Sequence, residues 1–308
     1  MADASSADGR GLTRRAAIAS LAVATILVLA KLGAWVVTDS IALLTSLVDS
    51  GIDFLASLVT FVSLRQAAQP ADRAHRYGHG KAEPLGAFAQ AGFVAGSALI
   101  LASESVQRLI APQPINQGRL GIAVMLAAMV LTGMLVLYQR AVVRRTGSIA
   151  IRADSLHYRA DLLMNLAVIA ALVLIELTGS PLIDPVFALA IVAVLLYGAA
   201  GVGRQALDML MDRELPAAER THIRALALGH PAAQDVHDLR TRRAGGDVFI
   251  ELHLELAGDL PLEQAHAIAH EVEERIRAAF PAADIIVHQE PAGLEDERLD
   301  HKIAAVER

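Results

Sequence analysis

The chain contains no cysteine. Disulfide frameworks, thiolate zinc sites and thiol nucleophiles are therefore excluded. Charge is scarce as well: Asp, Glu, Lys and Arg make up 19% of 308 residues, where a soluble protein carries roughly 25%. Aromatics reach only 4%, so the 54% hydrophobic content rests on Ala, Leu, Val and Ile, the side chains of helices in lipid. A basic surplus is missing from the stretch where charge is densest. Residues 213–308 hold 19 acids against 11 Lys and Arg, while residues 1–212 hold 14 against 16. Phosphate backbones need a basic face, so no nucleic-acid partner is expected. A cleaved signal peptide is poorly supported, because the apolar run after Arg14 and Arg15 is too long and Lys31 interrupts it.

Long apolar runs are what the chain does have. Crossing the hydrocarbon layer takes about 20 residues, and six runs qualify: Ala16–Val37, Ser40–Leu64, Pro84–Ser103, Leu120–Gln139, 153–175 and Pro185–Gly203. Basic residues gather before the first run (Arg10, Arg14, Arg15) and between the second and third (Arg65, Arg73, Arg76, Lys81). They recur between the fourth and fifth (Arg140, Arg144, Arg145, Arg152) and after the sixth (Arg204, Arg213). The opposite connections, near Thr38–Ser40, Ala111–Arg119 and Thr178–Asp184, have little beyond Arg108 and Arg119. The positive-inside rule then places both termini in the cytoplasm of a multi-pass membrane protein in contact with lipid.

The last third reads as a small α+β domain. Pro216–Leu228 and Leu262–Phe280 carry helix patterns, while Val236–Arg242, Val248–Leu256 and Asp284–His288 carry strand patterns. Gly245–Gly246 marks a hairpin turn. The expected fold class is an α-helical polytopic membrane protein of six transmembrane helices plus a cytoplasmic C-terminal α+β domain, in metallochaperone-like αββαβ order. The expected boundaries are 1–15 for a cytoplasmic N-terminal segment, 16–212 for the transmembrane domain, 213–292 for the cytoplasmic domain and 293–308 for a loosely ordered charged tail.

Asp49 and Asp53 are four apart in the second run, and His157 and Asp161 repeat that spacing in the fifth. Four residues bring side chains to one helix face. If the two faces oppose, three carboxylates and an imidazole converge into a set suited to a divalent cation. Ionisable groups inside a span mark function, though an interface or a water-filled cavity would also accommodate isolated acids. Three bare carboxylates in low dielectric are prohibitively costly. Such a site takes up protons when metal leaves and releases them when metal binds. Asp154 and Arg159 read as interfacial, and Lys31 as snorkelling or meeting a carboxylate. In the second connection Asp72, His75 and His79 could ligate one exposed cation, or simply form a polar loop near headgroups. In the soluble domain His237, His253, His266, His288 and Glu290 are either scattered surface residues or ligands near the ends of packed elements.

These motifs, in this order, resemble the cation diffusion facilitator family. The resemblance lies in Asp49-Ser50-Gly51-Ile52-Asp53, Tyr77-Gly78-His79-Gly80-Lys81-Ala82-Glu83, Arg152-Ala153-Asp154-Ser155-Leu156-His157-Tyr158 with Asp161, His237-Asp238-Leu239-Arg240-Thr241-Arg242 and His288-Gln289-Glu290-Pro291. It covers residues 12–291 and is strongest to the bacterial ferrous-iron and zinc efflux branch. It implies a homodimer exporting divalent metal, zinc foremost with iron and cadmium also accepted, against protons as counter-ions. It also implies a transport site of Asp49, Asp53, His157 and Asp161, and a loop site of Asp72, His75 and His79. A two-metal cytoplasmic site would use His237, His253, His266, His288 and Glu290, where that branch usually has Asp at the last position. Lys81 and Asp212 match a structural charge pair near the dimer interface, and His270 matches no ligand. The rival readings are a proton-coupled exporter of organic cations and a membrane-anchored metal sensor. An intramembrane metallohydrolase is not expected, since His270-Glu271 ends in Glu274 where a second His is needed.

Overall fold

The computed structural model describes residues 2–39, 41–110, 119–178, 182–293 and 298–306. Most of the weakly charged connections named above thus lie outside the described residues. Two compact units are present, one built on Asp8–Leu207 and one on Asp208–Arg308.

The first unit is all helix: α1 Ala2–Thr38, α2 Ile41–Ala67, α3 Ala82–Ile110, α4 Arg119–Thr146, α5 Ile149–Thr178 and α6 Ile183–Leu210. All six are long and apolar enough to cross a membrane. Pro84 and Pro185 fall in the first turns of α3 and α6, where a missing N–H removes no intrahelical bond. The outward faces stay apolar, with Val36, Ile100, Leu137 and Tyr197 exposed, as lipid rather than water requires. Small residues let the helices close together. A Cβ on Gly86 of α3 would lie 2.1 Å from Ser63 Oγ of α2, so only glycine permits that approach. Helix α5 packs against α2, α3 and α4 and buries Ile151, Asp154, His157 and Tyr158. It is the helix around which the candidate site is organised.

The second unit follows the αββαβ order: α7 Ala217–Leu228, β1 Asp235–Ala244, β2 Asp247–Leu256, α8 Leu262–Ala279 and β3 Ala283–Pro291. Strand β2 is central, antiparallel to β1 and parallel to β3. Gly245, with φ of 61°, makes the tight β1–β2 turn that residues with a Cβ resist. The parallel β2–β3 pair needs a crossover, which α8 supplies. Ile250, Leu252 and Leu254 of β2 bury one face of the sheet, with Ile223 of α7, Val272 and Ile276 of α8, and Ile285 and Val287 of β3. The alternate residues of β2, His253 and Glu255 among them, belong to the other face. In place of a loose tail the structure has a further helix, α9 Leu299–Val306, whose first-turn N–H groups at Leu299 and Asp300 donate to the Asp238 carboxylate at 2.8 and 2.9 Å.

Candidate metal sites

In the helical unit, His157 Nε2 of α5 lies 2.8 Å from Asp53 Oδ1 of α2. Donor atoms of Asp53, His157 and Asp161 all fall within 4.8 Å of one another. The i, i+4 spacing on α5 stacks His157 and Asp161 on one face, and α2 brings Asp53 across to them. Asp49, a turn earlier on α2, is exposed and stands outside this group of three. Lys31 of α1 turns toward α2 and lies within the electrostatic reach of Asp53, Asp161 and Asp49. It donates to Ser50 Oγ at 2.6 Å and to the Ser46 carbonyl at 3.1 Å on α2.

Asp154 overturns the interfacial reading. It is fully buried, accepting from Gln139 Nε2 of α4 at 2.7 Å and from Gln90 Nε2 of α3 at 3.1 Å. Gln139 also donates to Ser20 Oγ of α1 at 2.9 Å, and Gln90 to Thr60 Oγ1 of α2 at 2.9 Å. The Tyr158 hydroxyl adds a 2.7 Å contact to Ser57 Oγ. Five helices therefore meet at one polar hub, one turn of α5 from His157. The sequence signal for it was a glutamine inside each of two otherwise apolar runs. Buried amides demand partners, so each glutamine pointed to an acceptor on another helix.

The connection between α2 and α3 gathers its three candidates. Asp72 Oδ1 accepts from the backbone N–H of Ala74 at 2.8 Å and of His75 at 2.6 Å. His75 Nδ1 lies 3.3 Å from Asp72 Oδ1, and His79 Nε2 lies 3.5 Å from Asp72 Oδ2. The backbone N–H of His75 does most to hold the Asp72 carboxyl below its usual value. The group stays anionic at any neutral pH. His79 Nδ1 contacts the Pro70 carbonyl at 3.2 Å; a proton there leaves Nε2 free to ligate.

The sheet cluster follows from register. His237 stands opposite His253, and His253 opposite His288. Glu290 reaches all three: 2.7 Å from His253 Nδ1, 3.1 Å from His237 Nε2 and 3.4 Å from His288 Nε2. Donors of His237, His253 and Glu290 lie within 4.8 Å of one another. His288 is at the exposed edge, and His266, on α8, is exposed and outside the group. Asp235 and Glu255 were missed. They form a second group with His237, and strand alternation pointed to them, since each lies two residues from a candidate histidine. The Arg298 guanidinium contacts Glu255 and lies 3.6 Å from Asp235. His270 faces solvent beside Glu273. Lys81 precedes α3 in the first unit; Asp212, in the second, lies 3.4 Å from Arg242.

Six apolar spans with carboxylates and an imidazole converging between them define a multi-pass membrane transporter of cations. Residues 17–211 match the cation efflux transmembrane domain, and residues 215–292 the cytoplasmic domain of cation efflux proteins. The cation-efflux pump FieF of Cronobacter sakazakii is 47% identical over 92% of this chain and 94% of its own length. FieF of Salmonella schwarzengrund is 46% identical over the same shares. Among solved structures, the zinc form of CzrB is 43% identical over 28% of this chain and 99% of its own, with a TM-score of 0.26. The chain belongs to the cation efflux family, the cation diffusion facilitators, whose members are transporters and not enzymes.

Proposed function

We propose that the protein exports divalent transition-metal ions from the cytoplasm by alternating access, in exchange for protons. The observation that carries this reading is the 2.8 Å contact between His157 Nε2 and Asp53 Oδ1. A hydrogen bond there needs a proton between the two atoms, and a metal ion ligated by both must displace it. Asp161 lies within the same group, and Asp49, on the same face of α2, completes the set of four. Three hard oxygens with one imidazole suit zinc, and also accept ferrous iron and cadmium. An organic cation would have no use for the imidazole, and a sensor without transport no use for acids within spans.

Asp72, His75 and His79 form a peripheral cytoplasmic loop site. In the cytoplasmic domain His237, His253 and Glu290 hold one ion, and His288 and His266 extend the set toward a second. The transmembrane domain spans residues 16–212 and the cytoplasmic domain 213–292, followed by the tail. The protein acts as a homodimer, with Lys81 and Asp212 as a charge pair near its interface. Both termini face the cytoplasm from the inner membrane, on the side where Arg and Lys collect.

The test is metal-driven proton flux in proteoliposomes across zinc, ferrous iron, cadmium and manganese. Asp53→Ala is expected to abolish flux while leaving the elution volume of the purified protein unchanged. Normal flux in that variant would remove the site from this account.

A further inference from the structure

Between the last turns of α4 and the first turns of α5 lies a cavity of about 300 Å³ lined by Arg140, Val143, Arg144, Arg152, Ser155 and Arg159. Arg140 and Arg144 are i, i+4 on α4. Arg152, Ser155 and Arg159 are i, i+3 and i+7 on α5, so each set shares one helix face. No carboxylate lines the cavity. Among the described residues none of the four guanidiniums forms an ion pair, and Arg152 Nη1 donates only to a neutral acceptor, Gln205 Oε1, at 2.8 Å. Two buried polar atoms also lack partners: the Ser155 hydroxyl, in a residue 2% exposed, and Arg159 Nε.

An excess of arginine at the cytoplasmic side follows from topology alone. Topology does not explain four arginines turned toward one cavity, or buried donors left unmatched at a cost of about 1–3 kcal/mol each. An oxyanion would answer both, because it supplies negative charge and several acceptor oxygens together. Basic pockets between transmembrane helices on the cytoplasmic side suit phosphate headgroups. We propose that this cavity binds a phosphate-bearing anion, either the headgroup of an anionic phospholipid or free phosphate. The face of α5 that carries Arg152, Ser155 and Arg159 is not the face that carries His157 and Asp161. An anion bound here restrains α5 without touching those residues, and the site stands whether or not they carry metal.

The full-length protein is purified, incubated with vesicles of phosphatidylglycerol or of phosphatidylcholine, and weighed intact to count retained lipid. Thermal unfolding with and without inorganic phosphate forms a parallel arm. Arg140→Gln and Arg144→Gln alter exposed side chains, so the fold should survive. Arg145→Gln removes the same charge on the same helix away from the cavity. The expected result is preferential retention of phosphatidylglycerol, falling about fivefold for each cavity arginine removed and unchanged by Arg145→Gln. Stabilisation by phosphate with no lipid preference, lost in the same variants, assigns the site to free phosphate. If neither anion binds, or if Arg145→Gln weakens binding as much as Arg144→Gln, the proposal fails.

Discussion

In the helical unit, Asp53 and His157 meet at 2.8 Å from two separate helices. In the mixed unit, His237, His253 and His288 stand abreast on three hydrogen-bonded strands. The donor types are the same, and the devices that hold them differ. Helical spacing fixes only which residues share a face; the height at which α2 meets α5 is set by side-chain packing alone. A slide of one turn along α2 would exchange Asp53 for Asp49 opposite His157. A strand cannot slide that way, since a one-residue slip turns every side chain to the opposite face and breaks the ladder. Packing thus leaves the bundle cluster open to rearrangement, which the alternating access proposed above would need, while register holds the sheet cluster to one geometry.

The hardest blow to the bundle cluster is Asp161→Asn, which keeps the side chain's size and removes its charge. Metal–proton exchange in proteoliposomes should fall to background with elution unchanged. Persisting exchange would mean that the ion is carried elsewhere, and the comparison would lose its first member. Next comes Asp154→Ala, which acts on stability. It leaves the Gln90 and Gln139 amides short of an acceptor in the bundle interior, so unfolding in detergent should cost less by about 1–3 kcal/mol. An unchanged melting temperature would show that the five-helix hub holds nothing together.

How far the sequence revealed this division depends on the range of the contact concerned. The six spans, the αββαβ order and the pairing of His157 with Asp161 rest on local periodicity, which a sequence displays directly. The loop triad is also local, within eight residues of chain. Asp154 was misread because its partners lie on α3 and α4, and each looks alone like a stray amide in an apolar run. Strand alternation placed His253 on the face away from the core but could not say which neighbour it would meet. Histidine count is blind to direction, so His288 and His266 looked equivalent to His237, which is buried. Register separates them, and it reveals Asp235 and Glu255 beside His237.

That separation is testable in a fragment covering residues 213–308, which has its own core. Metal at a hundredfold excess over its Kd should stabilise the folded fragment by about 2.7 kcal/mol. Glu290→Ala should erase most of this shift, because Glu290 lies within reach of three histidines. His288→Ala should erase less, because His288 is at the exposed edge. If the two variants lose equally, the edge histidine is a full ligand and the sheet cluster is wider than its inner three donors.

The smallest effect concerns Asp238, at the bulge where β1 departs from regular pairing with β2. Its left-handed backbone, with φ of 49°, turns the carboxylate to the start of α9, and its own N–H donates to Asp300 Oδ2 at 3.1 Å. Burial pushes the Asp238 carboxyl up, but the N–H groups of Asp300 and Leu299, with His237 and His253 nearby, outweigh it and hold the group below its ordinary 3.8. A depressed carboxyl stabilises in full above its unfolded value, and that stability is lost as pH falls through the lower folded value. Docking of α9 should therefore be flat from neutral pH down to 3.8 and weaken only below that. The cap is worth about 0.5–2 kcal/mol. Amide exchange of Leu299–Val306 in the fragment, followed against pH, would show the loss, and Asp238→Asn should flatten the profile at a weaker level. Release of α9 at a pH well above 3.8 would show that a group other than Asp238 controls its docking.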